Sequence, residues 1–290
     1  MIIVRLQGGM GNQMFQYALG RALSLKNDTT LKLDIGILNE TKNSFIKREY
    51  NLDIYNISAE IATKNDIPSI HQNYRGDILI FKIYKYLERF IKSKGKEKYF
   101  QYDPSILNTG PDVYLDGYWQ SPKYFIGFED IIKKDFTFKC KLSDKIINLI
   151  EVIKKENSVC VHVRRGDYVG NKYHEIVGKD YYDKGIEYLN GKIKIDKIYV
   201  FSDDIGWCRE NMAFQFPVMF VEDEYKGEKN EGHFALMKSC KYFIIPNSSF
   251  AWWSAWLSDY KNKIIICPTQ WFADKSINSN DLIPKEWIKI

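Results

Sequence analysis

Short apolar segments alternating with helix-length amphipathic ones constrain the fold of this chain more than any other feature. Segments 2–6, 30–35, 113–115, 159–163, 195–201, 217–221, 242–245 and 263–267 are rich in Ile, Val, Leu, Tyr and Phe and stop at polar residues, Gly or Pro. Stretches with a helical apolar stripe follow many of them: Met14, Phe15, Ala18, Leu19, Ala22 and Leu23, then 123–133, 142–155, 179–189, 231–240 and 251–257. Repeated strand–helix units of this length predict an α/β fold whose C-terminal half is a parallel, doubly wound sheet. From 36 to about 70 the pattern is irregular and broken by Pro68; 77–91 reads as a helix, and 92–98 as a basic loop. The chain of 290 residues suits one large domain or two of ordinary size. A polar break at 154–158 places the boundary within 140–157, giving domains 1–150 and 151–290.

Several classes of function are set aside at this level. A net charge of +5, dispersed along the chain, does not argue for nucleic acid. No apolar run approaches the ~20 residues of a membrane span, and Met1 leads directly into an apolar strand, without a signal-peptide pattern. The five cysteines and four histidines are scattered and form no metal-ligand spacing, so neither metal nor cofactor is expected. Reduced cysteines and no leader predict a cytoplasmic protein. The basic run 92–98 reads as a solvated loop, with contact between segment 78–98 and an anionic inner-membrane face as the second reading.

The candidate chemistry lies at strand ends. Val159, Val161 and Val163 alternate with Cys160 and His162, and the strand stops at Arg164-Arg165-Gly166-Asp167. Adjacent guanidiniums suit a multiply charged anion, because each presents a planar fork of donors. The alternative is a surface pair, with Arg165 held by Asp167. Two other strands end in Ser202-Asp203-Asp204 and in Asn247-Ser248-Ser249-Phe250. In a parallel sheet such ends share one edge. Arginines there can take a pyrophosphate, carboxylates ribose hydroxyls or base N–H groups, and serines at a helix start phosphate oxygens. Each cluster alone is also a plausible helix cap. Near the N-terminus, Gly8-Gly9-Met10-Gly11-Asn12-Gln13 follows a strand, with Met14 where a dinucleotide fingerprint needs a third glycine. This is a tight turn before a helix, or a close approach to a polyhydroxylated ligand by Gly9, Gly11, Asn12 and Gln13.

These residues carry a resemblance. Gly8-Gly9-Met10-Gly11-Asn12-Gln13-Met14-Phe15-Gln16-Tyr17, Gly117-Tyr118-Trp119-Gln120-Ser121-Pro122, His162-Val163-Arg164-Arg165-Gly166-Asp167, Phe201-Ser202-Asp203-Asp204 and Asn247-Ser248-Ser249-Phe250-Ala251-Trp252-Trp253 resemble the bacterial α-1,2-fucosyltransferases of glycosyltransferase family 11. The resemblance implies a GT-B-type fold of two Rossmann-like domains, an N-terminal acceptor-side domain and a C-terminal GDP-sugar-binding domain. It implies an inverting, metal-independent enzyme that moves L-fucose from GDP-fucose to the 2-hydroxyl of a galactose-terminated glycan in surface-glycan synthesis. By the same similarity Arg164 binds the β-phosphate, His162 lies beside the nucleotide, and Ser248, Ser249 and Phe250 line phosphate and fucose. The chain departs from the family where a carboxylate usually faces guanine: His233 stands there, with Glu231 two residues away.

Two other readings stay open, transfer of another nucleotide-activated sugar and a non-catalytic nucleotide- or glycan-binding protein. For a base that takes the acceptor proton, the strand-end carboxylates Asp34 and Asp116 are the candidates; alternatively Asp34 caps a helix, Asp116 fixes the turn at Gly117, and no base is used.

Overall fold

The computed structural model describes residues 1–39, 48–67, 97, 100–166, 177–274 and 276–290. Pro68, helix 77–91, most of the basic run 92–98 and Asp167 lie outside them. The described chain divides into two compact units, 1–137 with 280–282, and 138–279 with 283–290.

In the first unit, strand β1 (Ile2–Arg5) leads through a turn at Gly8, φ +76°, into helix α1 (Met10–Lys26). β2 (Leu31–Asp34), the two-residue β3 (Glu60–Ile61) and β4 (Val113–Leu115) complete a parallel sheet of order β3-β2-β1-β4. α1 lies close on this sheet: a β-carbon at Gly20 would stand 2.4 Å from Val4 Cγ2 and 2.8 Å from Leu31 Cδ1. The predicted helix at 123–133 is instead a 3-10 turn (Pro122–Phe125), capped by Ser121, followed by α2 (Glu129–Asp135). The cause is local, since Pro122 cannot donate within a helix and Gly127, φ +87°, interrupts it. The returning segment 280–282 is tied to this unit by Ser121 Oγ donating to the Asp281 carbonyl, 2.6 Å, and by a Lys123–Asp281 ion pair.

The second unit begins with α3 (Asp144–Lys155) and β5 (Ser158–Val163). Next come α4 (Lys179–Asn190), β6 (Lys197–Ser202), α5 (Ile205–Asn211) and β7 (Val218–Phe220). α6 (Glu231–Ser239), β8 (Tyr242–Ile244), α7 (Ser249–Trp256), β9 (Ile265–Cys267) and β10 (Ile288–Lys289) complete it. All strands pair in parallel in the order β10-β9-β8-β5-β6-β7. The sequence boundary at 150/151 falls inside α3, whereas the units part at 137/138, because α3 packs against α6 of the second unit.

Every residue of β5 is buried, polar His162 and Cys160 included. Burial along its whole length is what a parallel sheet covered by helices on its faces requires. Val159, Val161, Val163, Ile198, Val200 and Ile244 form the center of the core with Tyr182 and Leu189. Each large apolar side chain buried there contributes roughly 1.5–3 kcal/mol. The order matters for function, because β5 has β6 on one side and β8 on the other, with later strands added outward from each. At such a reversal the loops leaving neighbouring strands part in opposite directions and open a crevice at their carboxyl ends.

Candidate active site

That crevice receives the three polar strand ends of the second unit. The register sets Val161 beside Ile244 and Val163 beside Ser202, so Arg164, the 202–204 segment and the 246–249 segment emerge from adjacent strands. Arg164 Nη1 lies 3.0 Å from Asp203 Oδ2, and the Arg165 backbone N–H donates to Asp203 Oδ1 at 2.9 Å. Arg165 reaches Asp204 Oδ2 at 3.3 Å through Nε and stacks on the Trp207 ring, 3.8 Å from its centroid. Asp204 also caps α5, accepting from Trp207 N at 3.2 Å. A β-carbon at Gly166 would sit 2.6 Å from Asp203 Oδ2, so glycine there leaves room for the arginine–aspartate approach.

Asp203 and Asp204, the groups expected to take ribose or base, stand against the two arginines. Arg165 finds its structural partners in Asp204 and Trp207; Asp167 lies outside the described residues. Trp207, which sequence reading did not single out, joins this cluster. Its signal was an aromatic three residues after a strand-end Asp, where a cap and a cation–π partner coincide.

Across the crevice, α7 starts at Ser249, two residues earlier than expected, with buried Ser248 as its cap, 3.5 Å from Ala251 N. Asn247, also buried, donates from Nδ2 to the Trp271 carbonyl at 3.0 Å. Phe250 lies 6.1 Å from the His162 ring and meets Phe234 edge-on. His162 is 6% exposed and its Nδ1 has no hydrogen-bond partner among the described residues. Burial, with help from the Arg164 charge, pushes its pKa down to about 3, so the ring is neutral at neutral pH.

His233 and Glu231, at the position expected to face guanine, have partners within the chain. His233, buried and held at about 4 by burial, places Nε2 3.0 Å from the Glu222 carbonyl and meets Phe201 edge-on. The Glu231 carboxylate accepts from Glu228 N at 3.1 Å and Lys229 N at 2.8 Å, bracing its own loop. The loop before α6 is thus held by both residues.

The first unit carries its own cluster at the carboxyl edge of its sheet. α1 starts at Met10, so Gly11, Asn12 and Gln13 occupy its first turn, behind Gly9 as cap. Buried Gln13 cross-braces the chain: Nε2 donates to the Gly8 and Glu49 carbonyls, and Oε1 accepts from Asn51 N. Asn12 Oδ1 accepts from Gln120 Nε2 at 2.7 Å. Gln16 joins the two loops, accepting from Gln7 N and donating to the Gly117 carbonyl. Asp116 Oδ2 meets Arg5 Nη1 at 2.8 Å. Asp34 accepts from Gly36 N, closing the turn after β2, and from the Tyr114 hydroxyl. Burial and that carboxylate push the Tyr114 phenol far above its ordinary value. Both candidate bases therefore have structural partners.

Glu97 also belongs here, although its basic run read as solvated. It accepts from Tyr118 N and Trp119 N, and burial pushes its carboxyl up to about 7. A lone acidic residue among four lysines hints at it only weakly.

Among the described residues, no group of three His, Cys, Asp or Glu is placed to hold a metal ion, and no helix is long and apolar enough to cross a membrane. Contact of 78–98 with a membrane face falls on residues almost wholly outside those described.

The model of the family described as Glycosyl transferase family 11 matches residues 1–290. The chain is 37% identical over 299 residues to the Alpha-1,2-colitosyltransferase of Escherichia coli, spanning 100% of this chain and 98% of that protein. It is 30% identical over 305 residues to the O-antigen biosynthesis glycosyltransferase WbnK of Escherichia coli, spanning 98% and 99%. Among solved structures, a mutant of Arabidopsis thaliana FUT1 in complex with GDP superposes with a TM-score of 0.51 at 12% identity, covering 91% of this chain and 69% of that one. With the two parallel sheets, that likeness makes the fold the expected α/β, GT-B type.

Proposed function

We propose that this chain, which belongs to glycosyl transferase family 11, transfers L-fucose from GDP-fucose to the 2-hydroxyl of a galactoside. The observation that carries the reading is the pair Arg164 and Arg165 at the end of β5, oriented by Asp203 and Asp204 and flanked by the start of α7 on the neighbouring strand. Two fixed guanidiniums and a capped helix start make a seat for a diphosphate. In the transfer, the acceptor oxygen bonds to the anomeric carbon from the face opposite GDP as the carbon–oxygen bond to the diphosphate breaks. The departing GDP takes the electron pair, and Arg164 opposes the charge that develops on it. The acceptor proton leaves to a base or to solvent. Under this reading the first unit takes the acceptor.

A second reading has a specific support, the 37% identity to a colitosyltransferase. Colitose is L-fucose without its 3-hydroxyl, so the two donors differ by one hydrogen-bonding group. Mass-spectrometric detection of product from a panel of β-galactosides, with GDP-fucose and GDP-colitose supplied separately, tests both. Fucosylated product is the expected result; product from GDP-colitose alone supports the second reading. No product from either, with GDP still bound, supports a nucleotide-binding protein. Tighter binding of UDP or ADP than of GDP points to another nucleotide sugar.

With arginines in the place of a metal, turnover is expected to be unchanged in excess EDTA. A strict requirement for Mn²⁺ or Mg²⁺ in the rate assay would contradict the role given to Arg164.

A further inference from the structure

Glu97 closes on the aromatic turn after β4. Its backbone N–H donates to the Asp116 carbonyl at 3.1 Å. Its carboxylate accepts from two consecutive amides, Tyr118 N at 2.6 Å on Oε2 and Trp119 N at 3.0 Å on Oε1. A β-carbon at Gly117 would stand 2.4 Å from Glu97 Cβ, so turn and glutamate meet with no room for a side chain between them. Trp119, 1% exposed, has φ +55°. A bulky aromatic enters that left-handed region only when its surroundings hold it there. Two charge-assisted hydrogen bonds from consecutive amides supply that hold. The next residue, Gln120, is the one that reaches Asn12 on α1.

We propose that Glu97 is a positioning residue for the acceptor side of the transfer, clasping turn 117–119 through two backbone amides and thereby setting Gln120 and its partner Asn12 at the sheet edge. The proposal rests on the reading that the four-stranded unit takes the acceptor. Only the charged carboxylate accepts from both amides with its full strength. Burial opposes that charge, the two amides favour it, and Asp116 opposes it again. Among the described residues, the other groups facing this corner are Arg5, paired with Asp116, then Tyr118, Tyr124 and Arg48. The clasp is therefore closed on the alkaline side of neutrality and slackens as Glu97 takes up a proton. Glutamine at this position imitates the protonated form at every pH.

The test needs no substrate at first. Hydrogen-exchange protection of the Tyr118 and Trp119 amides in the full chain is expected to rise about tenfold from pH 6 to 8, the order of one charge-assisted hydrogen bond. In Glu97→Gln the protection stays low and flat, and in Glu97→Asp a pH-dependent rise returns. With substrates at pH 8, Glu97→Gln raises the acceptor KM about tenfold, leaves GDP affinity unchanged, and loses the acid limb of kcat/KM for the acceptor. Protection or acceptor KM unmoved by the substitution overturns the proposal, as does a shift in GDP affinity alone. Should Glu97→Gln not fold, a flat protection profile in the parent protein overturns it instead. A parent protein that transfers no sugar refutes the functional reading, which includes an acceptor side, while the exchange profile still decides the clasp.

Discussion

Replacing Arg164 by alanine is expected to lower turnover by roughly 10²–10³-fold or more, the size of effect seen when one group opposing transition-state charge is removed. Arg164 leaves β5 where that strand is flanked by β6 and β8, and Asp203 holds its Nη1 at 3.0 Å. The guanidinium is thus oriented before any ligand arrives, and preorganised charge acts without a reorganisation cost at the moment of reaction. Arg164→Lys is expected to recover little, because an ammonium has the charge without the planar fork. Release of GDP from GDP-fucose at saturating acceptor is the measurement. Turnover of Arg164→Ala within a few fold of the parent would remove the basis of the proposed mechanism. Protein stability should change little, since Arg164 is about a quarter exposed at the crevice mouth.

Asp116→Ala is expected to act on the fold, at about 2–4 kcal/mol, by taking away the carboxylate that faces the guanidinium of Arg5, a residue 7% exposed at the end of β1. Denaturant unfolding of the parent and variant measures it, and a cost below about 0.5 kcal/mol, the scale of an ordinary surface change, would show that the Arg5–Asp116 pair is not structural. The isosteric Asp116→Asn separates bracing from catalysis. With Oδ2 committed to Arg5, the rate at saturating substrates is expected to stay within about tenfold of the parent. A loss of roughly a hundredfold or more with GDP affinity intact would instead identify Asp116 as the base. Asp34→Asn is read the same way, with the Tyr114 hydroxyl and the turn after β2 as its structural partners.

Both outcomes bear on how much of this protein is written locally. The parallel α/β architecture followed from periodicity and spacing, because β-branched runs and helical stripes are properties of neighbouring residues. The ends of β5, β6 and β8 were legible as polar clusters for the same reason. The two-residue strands β3 and β10 and the seven-residue helix α5 were not read: each is too short to show a period and exists through its neighbours. Which residues would meet was also decided in three dimensions. Arg164 and Asp203 are 39 positions apart in sequence, and strand order together with the absent side chain of Gly166 brings them into contact. The same holds for Arg5 with Asp116 and for Glu97 with the turn at 117–119. Sequence alone determined which chemical groups stand at strand ends, since that depends on where apolar runs stop. Tertiary structure alone decided which of those groups are held by a partner, because pairing and burial depend on distances that only the folded sheet sets.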